Sequence, residues 1–194
     1  MRDDKPQMDE RIRGFKGYGL VQVLHGHGKG KSTSALGMAV RCAGSGRRAK
    51  IIYFDKGGSD HYFERLALDG IRNIDYVATG RDRIDPVSGQ FDFSIQEIDK
   101  TEATRGLQLA KEALASGDYA LVILDEINST ADLGMLNIAD VLNVIDIKKP
   151  DVELILTGRN PAPELLERAH LVSNISLERH YFYSGVPARA GLDF

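Results

Sequence analysis

Residues 19–33 read GLVQVLHGHGKGKST. The first half, GLVQVLH, is a short apolar run rich in β-branched residues and has strand character. The second half, Gly26-His27-Gly28-Lys29-Gly30-Lys31-Ser32-Thr33, is a glycine-rich turn running into a segment of helical period. Glycines at alternate positions let the backbone curl so that successive N–H groups converge on an anion. Lys31 adds a mobile positive charge and Ser32 a hydroxyl suited to a magnesium ion, while the helix N-terminus contributes its partial positive charge. The standard phosphate-loop spacing has glycine at position 25, where this chain carries His25, so the loop is a variant form. A glycine-rich turn with an incidental Lys-Ser pair is the alternative, and the strand–turn–helix setting argues against it.

Outward from this stretch the same rhythm repeats. Strand-like runs lie at 49–54, 74–79, 119–124, 152–157 and 171–177, and helix candidates at 31–43, 60–69, 95–116, 137–147 and 163–169. Several strands are apolar throughout, as expected when both sheet faces are covered. Gly44, Gly70 and Gly117 sit just past three of the helices, where a left-handed cap is favoured. The alternation predicts an α/β domain with a mainly parallel sheet between two helical layers. Residues 80–94 (GRDRIDPVSGQFDFS) break the rhythm with a loop too long to be a plain connection, and 178–194 form no periodic element yet hold four aromatics.

Composition bounds the function. The 194 residues are 42% hydrophobic and 27% charged, ordinary for a globular domain, and 25 basic against 28 acidic side chains give a formal charge of −3. That balance argues against nucleic acid as a partner. The single cysteine, Cys42, falls on the apolar face of the first helix and forms neither a disulfide nor a multi-cysteine metal site. Residues 1–18 make a charged N-terminal segment without an apolar signal region. The longest apolar run, Tyr119 to Leu124, is far short of the roughly 20 residues that span a bilayer. A cytoplasmic setting is expected.

Two further motifs fall at strand ends. Leu121-Val122-Ile123-Leu124-Asp125-Glu126 is an apolar strand closing on two carboxylates, which either cap a helix or hold Mg²⁺ beside the phosphate loop. Thr157-Gly158-Arg159-Asn160 ends the next strand, so that Arg159 is either a surface residue or a planar fork directed at a polyphosphate. His25, His61, His170 and His180 lack metal-ligand spacing, whereas His27 lies inside the loop itself.

These residues resemble the CobA/BtuR-type ATP:corrinoid adenosyltransferases. The family's short loop, G-[N/D]-G-K-G-K-[T/S]-T, is matched by residues 26–33 except at His27. Further matches are Ala39-Val40-Arg41, Phe54, Lys56-Gly57, Ala78-Thr79-Gly80, Leu124 to Asn128 and Leu156 to Arg159. The tail from His180 to Phe194 follows H-x-F-x-x-G-[VI]-x-A-x-x-G-[IL]-[DE]-[FY]. The likeness covers residues 19–194 and implies a RecA-like P-loop domain.

The resemblance implies transfer of the 5′-deoxyadenosyl group of ATP to the Co(I) of a corrinoid, with triphosphate released. It implies ATP bound in reverse along Gly26 to Thr33, with Lys31 and Arg159 as the catalytic pair and Ser32, Asp125 and Glu126 around Mg²⁺. It also implies a homodimer, a flavoprotein reductant, and an N-terminal segment covering the partner's corrinoid. The family follows A-T-G with a short F-T-W segment against the corrin; here Phe91-Asp92-Phe93 comes later, after an insertion. Phe91 and Phe93 are either the displaced counterparts of that aromatic pair, carried by a flexible hinge from Arg81 to Gln90, or ordinary loop residues. An ordinary P-loop phosphohydrolase or kinase, and a non-catalytic nucleotide- or corrinoid-binding regulator, are the rival readings.

Overall fold

Strand β1 (Val21–His25) lies between β5 (Glu153–Thr157) and β6 (Leu171–Asn174), and all neighbouring strands run parallel. With β2 (Ala49–Tyr53), β3 (Ile74–Ala78) and β4 (Leu121–Asp125), the full order is β3-β2-β4-β5-β1-β6. The computed structural model describes residues 8–85 and 91–193 of the chain. Every residue of β4 is buried, because the strand sits mid-sheet with helices over both faces. This accounts for its unbroken apolar sequence.

Helix α1 (Lys31–Gly44) places Ala35, Ala39 and Cys42 against Ile51, Ile123 and Ile155 on one face. On the other face α3 (Glu97–Ser116) and α5 (Ile138–Asp146) pack Leu107, Leu114, Val141 and Ile145 against Ile52, Val122 and Leu154. The odd and even positions of each strand thus feed separate cores, giving three layers. Short helices α2 (Glu64–Leu68), α4 (Ile127–Asp132) and α6 (Pro163–Arg168) fill the connections. Gly106 lies mid-α3, where a Cβ would come within 2.8 Å of the Phe54 ring and 2.9 Å of Thr79 Oγ1. The helix keeps an unfavourable residue there because it crosses the sheet so closely.

Several boundaries differ from expectation. The 60–69 segment is helical only over Glu64–Leu68, and α4 was not anticipated. Gly44 ends α1 in helical conformation, with Gly46 taking the left-handed turn at φ +82°, and Gly70 is not left-handed either. Gly117 caps α3 as expected, at φ +79°. The segment 8–18 is tied to the sheet edge where strands begin, since Arg11 donates 2.8 Å bonds to the carbonyls of Glu167 and Ala169 at the end of α6. Residues 1–7 lie outside the described residues, as do 86–90 of the expected hinge and Phe194 of the tail.

Candidate functional site

The loop Gly26 to Gly30 joins the carboxyl end of β1 to the start of α1, and its glycines have separate causes. Gly26 and Gly30 stand at φ +104° and +119°, a region closed to most side chains, and Gly30 is the N-cap of α1. Gly28 is needed for space instead: a Cβ would meet the Ser176 carbonyl at 2.5 Å, because the chain leaving β6 runs directly behind the loop. The Gly28 N–H donates to the Ile175 carbonyl at 2.7 Å, which fixes the loop against that segment.

Lys31 is buried at the first turn of α1 and its Nζ donates to the Gly28 carbonyl at 2.9 Å. Burial lowers its pKa, and the like charges of Arg159 and Lys56 act in the same direction against the carboxylates of Glu126 and Asp125. Burial also lowers the pKa of His25, with the charge of Lys31 adding to it. Arg159 follows β5 through Gly158, whose φ of +130° and close approach to the Ser129 N–H again demand glycine. The Arg159 backbone N–H donates to Ser129 Oγ at 2.8 Å, and its side chain shares a cavity of about 260 Å³ with His27, Gly28, Lys29 and Lys31.

The two carboxylates do different things. Asp125, the last residue of β4, is fully buried: Lys56 Nζ lies 2.5 Å from Oδ2, and Thr157 Oγ1 donates to Oδ1 at 2.7 Å. Burial works to raise the pKa of Asp125, but the Lys56 charge and the donors Lys56, Thr157 and Ser32 outweigh it and hold the carboxyl down. Lys56 shows the mirror effect, with burial opposing and Asp125 and Glu126 prevailing to raise it. Glu126 leaves the strand in left-handed conformation at φ +63°, caps α4, and lines a second cavity of about 810 Å³ with Lys31, Ser32 and Thr33. Its Oε2 accepts from Ser129 Oγ at 2.6 Å.

A cation suits this place. The Lys56 ammonium sits 3.3 Å from Ser32 Oγ and 2.5 Å from Asp125, bridging the loop hydroxyl and the buried acid. Ser32, Glu126 and Asp125 are the hard oxygen donors that Mg²⁺ prefers. Among the described residues no group of three or more His, Cys, Asp or Glu side chains forms an ion cage.

The C-terminal tail closes the cleft. Lys29 Nζ bonds to Asp193, to the Leu192 carbonyl at 2.5 Å and to the Tyr181 hydroxyl at 3.1 Å. His180, Tyr181 and Phe182 wall the smaller cavity, while Tyr62, Phe63 and Leu192 wall the larger. The loop residues, Lys31, Arg159, Ser32 and Glu126 are therefore brought together as expected. Phe91 and Phe93 line neither cavity; they project from the 80–94 loop with ring centroids 4.7 Å apart. That loop is also not a free hinge at its base, since Arg81 and Arg83 are tied by ion pairs to Asp55, Asp92 and Asp99. Sequence reasoning did not assign Lys56, Thr157, Tyr181 or Asp193 to the site, although Lys56-Gly57 follows a strand that ends at this edge.

The profile of the family described as ATP:corrinoid adenosyltransferase BtuR/CobO/CobP matches residues 17–194. The chain belongs to this CobA/CobO/BtuR family. A corrinoid adenosyltransferase of Pseudomonas aeruginosa is 30% identical, the match covering 100% of this chain and 93% of the relative. One from Escherichia coli K12 is 29% identical over 91% of this chain and 86% of its own. A Nostoc protein named "Uncharacterized protein all2391" is 38% identical over 90% of this chain, which spans only 48% of that relative. Among solved structures, the KaiC-like protein PH0186 of Pyrococcus horikoshii has a TM-score of 0.54 at 20% identity, covering 90% of this chain and 80% of its own. That likeness bears on the fold alone, an α/β domain with a parallel sheet between helical layers. For this member of the CobA/CobO/BtuR family no described helix is long and apolar enough to cross a membrane.

Proposed function

We propose that the chain transfers the 5′-deoxyadenosyl group of ATP to the Co(I) of a corrinoid, cob(I)alamin or cobyrinic acid a,c-diamide, and releases triphosphate. The observation that carries this reading is the convergence of Lys31, Lys56 and Arg159 around loop 26–30 in a chain of this family. The cobalt lone pair forms a bond to C5′, the C5′–O bond breaks, and its electron pair leaves on the triphosphate. Cobalt(I) needs no activation as a nucleophile, so the protein's work is placement and charge. Lys31, Arg159 and the loop N–H groups face the charge that grows on the leaving group, and Lys31 is buried, where such contacts are strongest.

Magnesium, when bound, would neutralise phosphate oxygens and sharpen that charge stabilisation. Ser32 and Glu126 would hold it directly, with Asp125 acting on it through Lys56 and Thr157. Phe91 and Phe93 would lie against the corrin. A homodimer, with the N-terminal segment over the partner's corrinoid, a flavoprotein reductant and a cytoplasmic setting complete the reading.

The test is incubation with ATP, Mg²⁺ and chemically reduced cobalamin. A light-sensitive cobalt–carbon product together with triphosphate is expected. ADP with phosphate would replace this reading by a phosphohydrolase or kinase, and tight ATP binding without any turnover would replace it by a regulator.

A further inference from the structure

The base of the 80–94 loop contains a buried charge that the chemistry above does not use. Arg83 has a side chain only 5% exposed, and its guanidinium reaches three parts of the fold. Nε donates to Asp55 Oδ1 at 2.6 Å, Nη1 donates to the Asp92 and Ser94 carbonyls at 3.1 and 2.6 Å, and Nη2 lies 3.4 Å from Asp99 Oδ2. Asp55 follows β2, Asp99 opens α3, and residues 92–94 are the far arm of the loop. The Asp92 N–H in turn donates to the Arg83 carbonyl at 2.7 Å, so this residue is gripped through both of its backbone polar groups.

Phe91 and Phe93 flank Asp92. Alternation along an extended segment sends the Asp92 side chain one way and both rings the other. The contacts agree: the Asp92 carboxylate pairs with Arg81 at 2.8 Å, while Phe91 and Phe93 are 47% and 84% exposed and touch each other. Phe91 is half-buried and bridged to Ile84, whereas Phe93 stands mostly in solvent, so the backbone clamp and not burial sets where the pair points. The neighbour of Asp55, Lys56, binds Asp125 and Ser32, so consecutive residues hold the aromatic loop and the phosphate loop.

We propose that Arg83 is a positioning residue for the aromatic pair, presenting Phe91 and Phe93 at a set distance from the nucleotide cleft through its clamp on Asp55, Asp92 and Asp99. The proposal rests on the reading that these rings meet the corrin. Lysine cannot replace arginine here, since one ammonium does not span three planar contacts. Burying the charge is tolerated because the fork fixes a geometry that an apolar substitute would leave loose.

The test compares Arg83→Lys, Asp55→Asn and a Phe91→Ala/Phe93→Ala double variant, alone and combined, with cob(I)alamin and MgATP as substrates. Each should raise KM for cob(I)alamin about tenfold, leave the ATP dissociation constant within about twofold, and keep a cooperative thermal transition. Adding Arg83→Lys to the phenylalanine double variant should raise KM no further, because both act through the same rings. If the double variant alone is affected, the clamp is wrong and the aromatic reading stands. An unaffected double variant overturns both. Equal losses for ATP and cob(I)alamin in Arg83→Lys and Asp55→Asn would make the clamp merely structural. Should Arg83→Lys fail to fold, Asp55→Asn, which removes the charge of one partner and leaves Arg83 on the other contacts, decides the matter by the same criteria.

Discussion

Replacing Thr157 by valine removes a single oxygen from the centre of the site. The Thr157 side chain is fully buried, donates to Asp125 Oδ1 at 2.7 Å and accepts from the Glu126 N–H at 2.9 Å. Valine fills nearly the same volume, so the loss is in hydrogen bonding rather than packing. A hydrogen bond to a charged group contributes about 1.5–3 kcal/mol and an orphaned amide costs about 1 kcal/mol more, which together make roughly 3 kcal/mol. At about 2–4 °C per kcal/mol for a chain of this length, the midpoint of thermal unfolding should fall by roughly 10 °C.

The pH dependence follows from Asp125. Its carboxyl is held below the ordinary value: burial pushes up, while the Lys56 charge and the Lys56, Thr157 and Ser32 donors pull down and win. A carboxyl depressed by folding contributes its full stability above the unfolded value of about 3.9 and loses it as pH falls through the folded value. Without the threonine donor the folded value rises, so the deficit of Thr157→Val is full near neutrality and shrinks only as pH falls through the depressed folded values, below the ordinary carboxylate range. Far-UV circular dichroism melts of both proteins at about pH 7 and in steps down to about pH 2 read this directly. A variant melting within about 2 °C of the parent at neutral pH would refute the hydrogen-bond assignment. A deficit of constant size would refute the role of Asp125.

Three other outcomes are expected. Lys31→Ala should weaken ATP binding and lower transfer by at least about 10²-fold, since a charge-assisted phosphate contact is lost in a partly desolvated site; near-normal turnover would remove residues 26–32 from the site. Glu126→Gln should raise the Mg²⁺ concentration needed for half-maximal rate, because an amide is a poorer ligand for a hard cation. A shift seen with Asp125→Asn and not with Glu126→Gln would reverse the roles given to them. Gly106→Ala, which in an exposed helix would stabilise by about 1 kcal/mol, should here destabilise, as its Cβ would press on Phe54 and Thr79; urea titration of the variant settles the sign.

The central strands were legible because they are covered on both faces and so read as continuous apolar runs between glycines. The phosphate loop was legible because its glycines serve local backbone geometry, at Gly26 and Gly30 by dihedral and at Gly28 by the packing of 174–176. Helix α4 was not, since INSTAD has no apolar period and its start is set by the left-handed turn at Glu126. Lys56 escaped assignment for a different reason. Its partner lies 69 residues away and is brought to it only by the β2–β4 register, which sets Tyr53 opposite Asp125. Arg83 and Asp99 likewise meet only in three dimensions. Long-range ion pairs leave no spacing in a sequence, so the polar part of the site was half visible where the apolar scaffold was nearly all visible.

Backbone strain marks the same edge. Of the four described non-glycine residues with positive φ, Asp55, Glu126 and Asn160 all lie just past the carboxyl ends of strands β2, β4 and β5. Aspartate and asparagine enter the left-handed region at modest cost because their short side chains bond locally, but glutamate lacks that compensation. Glu126 is held there from outside: Thr157 accepts its N–H, and Ser129 binds its carboxylate. The result is that Asp125 and Glu126, adjacent in sequence, face opposite ways, one down to Lys56 and one out to the cavity. Asp55 and Lys56 divide in the same manner between the aromatic loop and the phosphate loop. Left-handed turns at strand ends thus convert two doublets of charged residues into four separately aimed groups, and the strain is retained because the surrounding hydrogen bonds over-determine it.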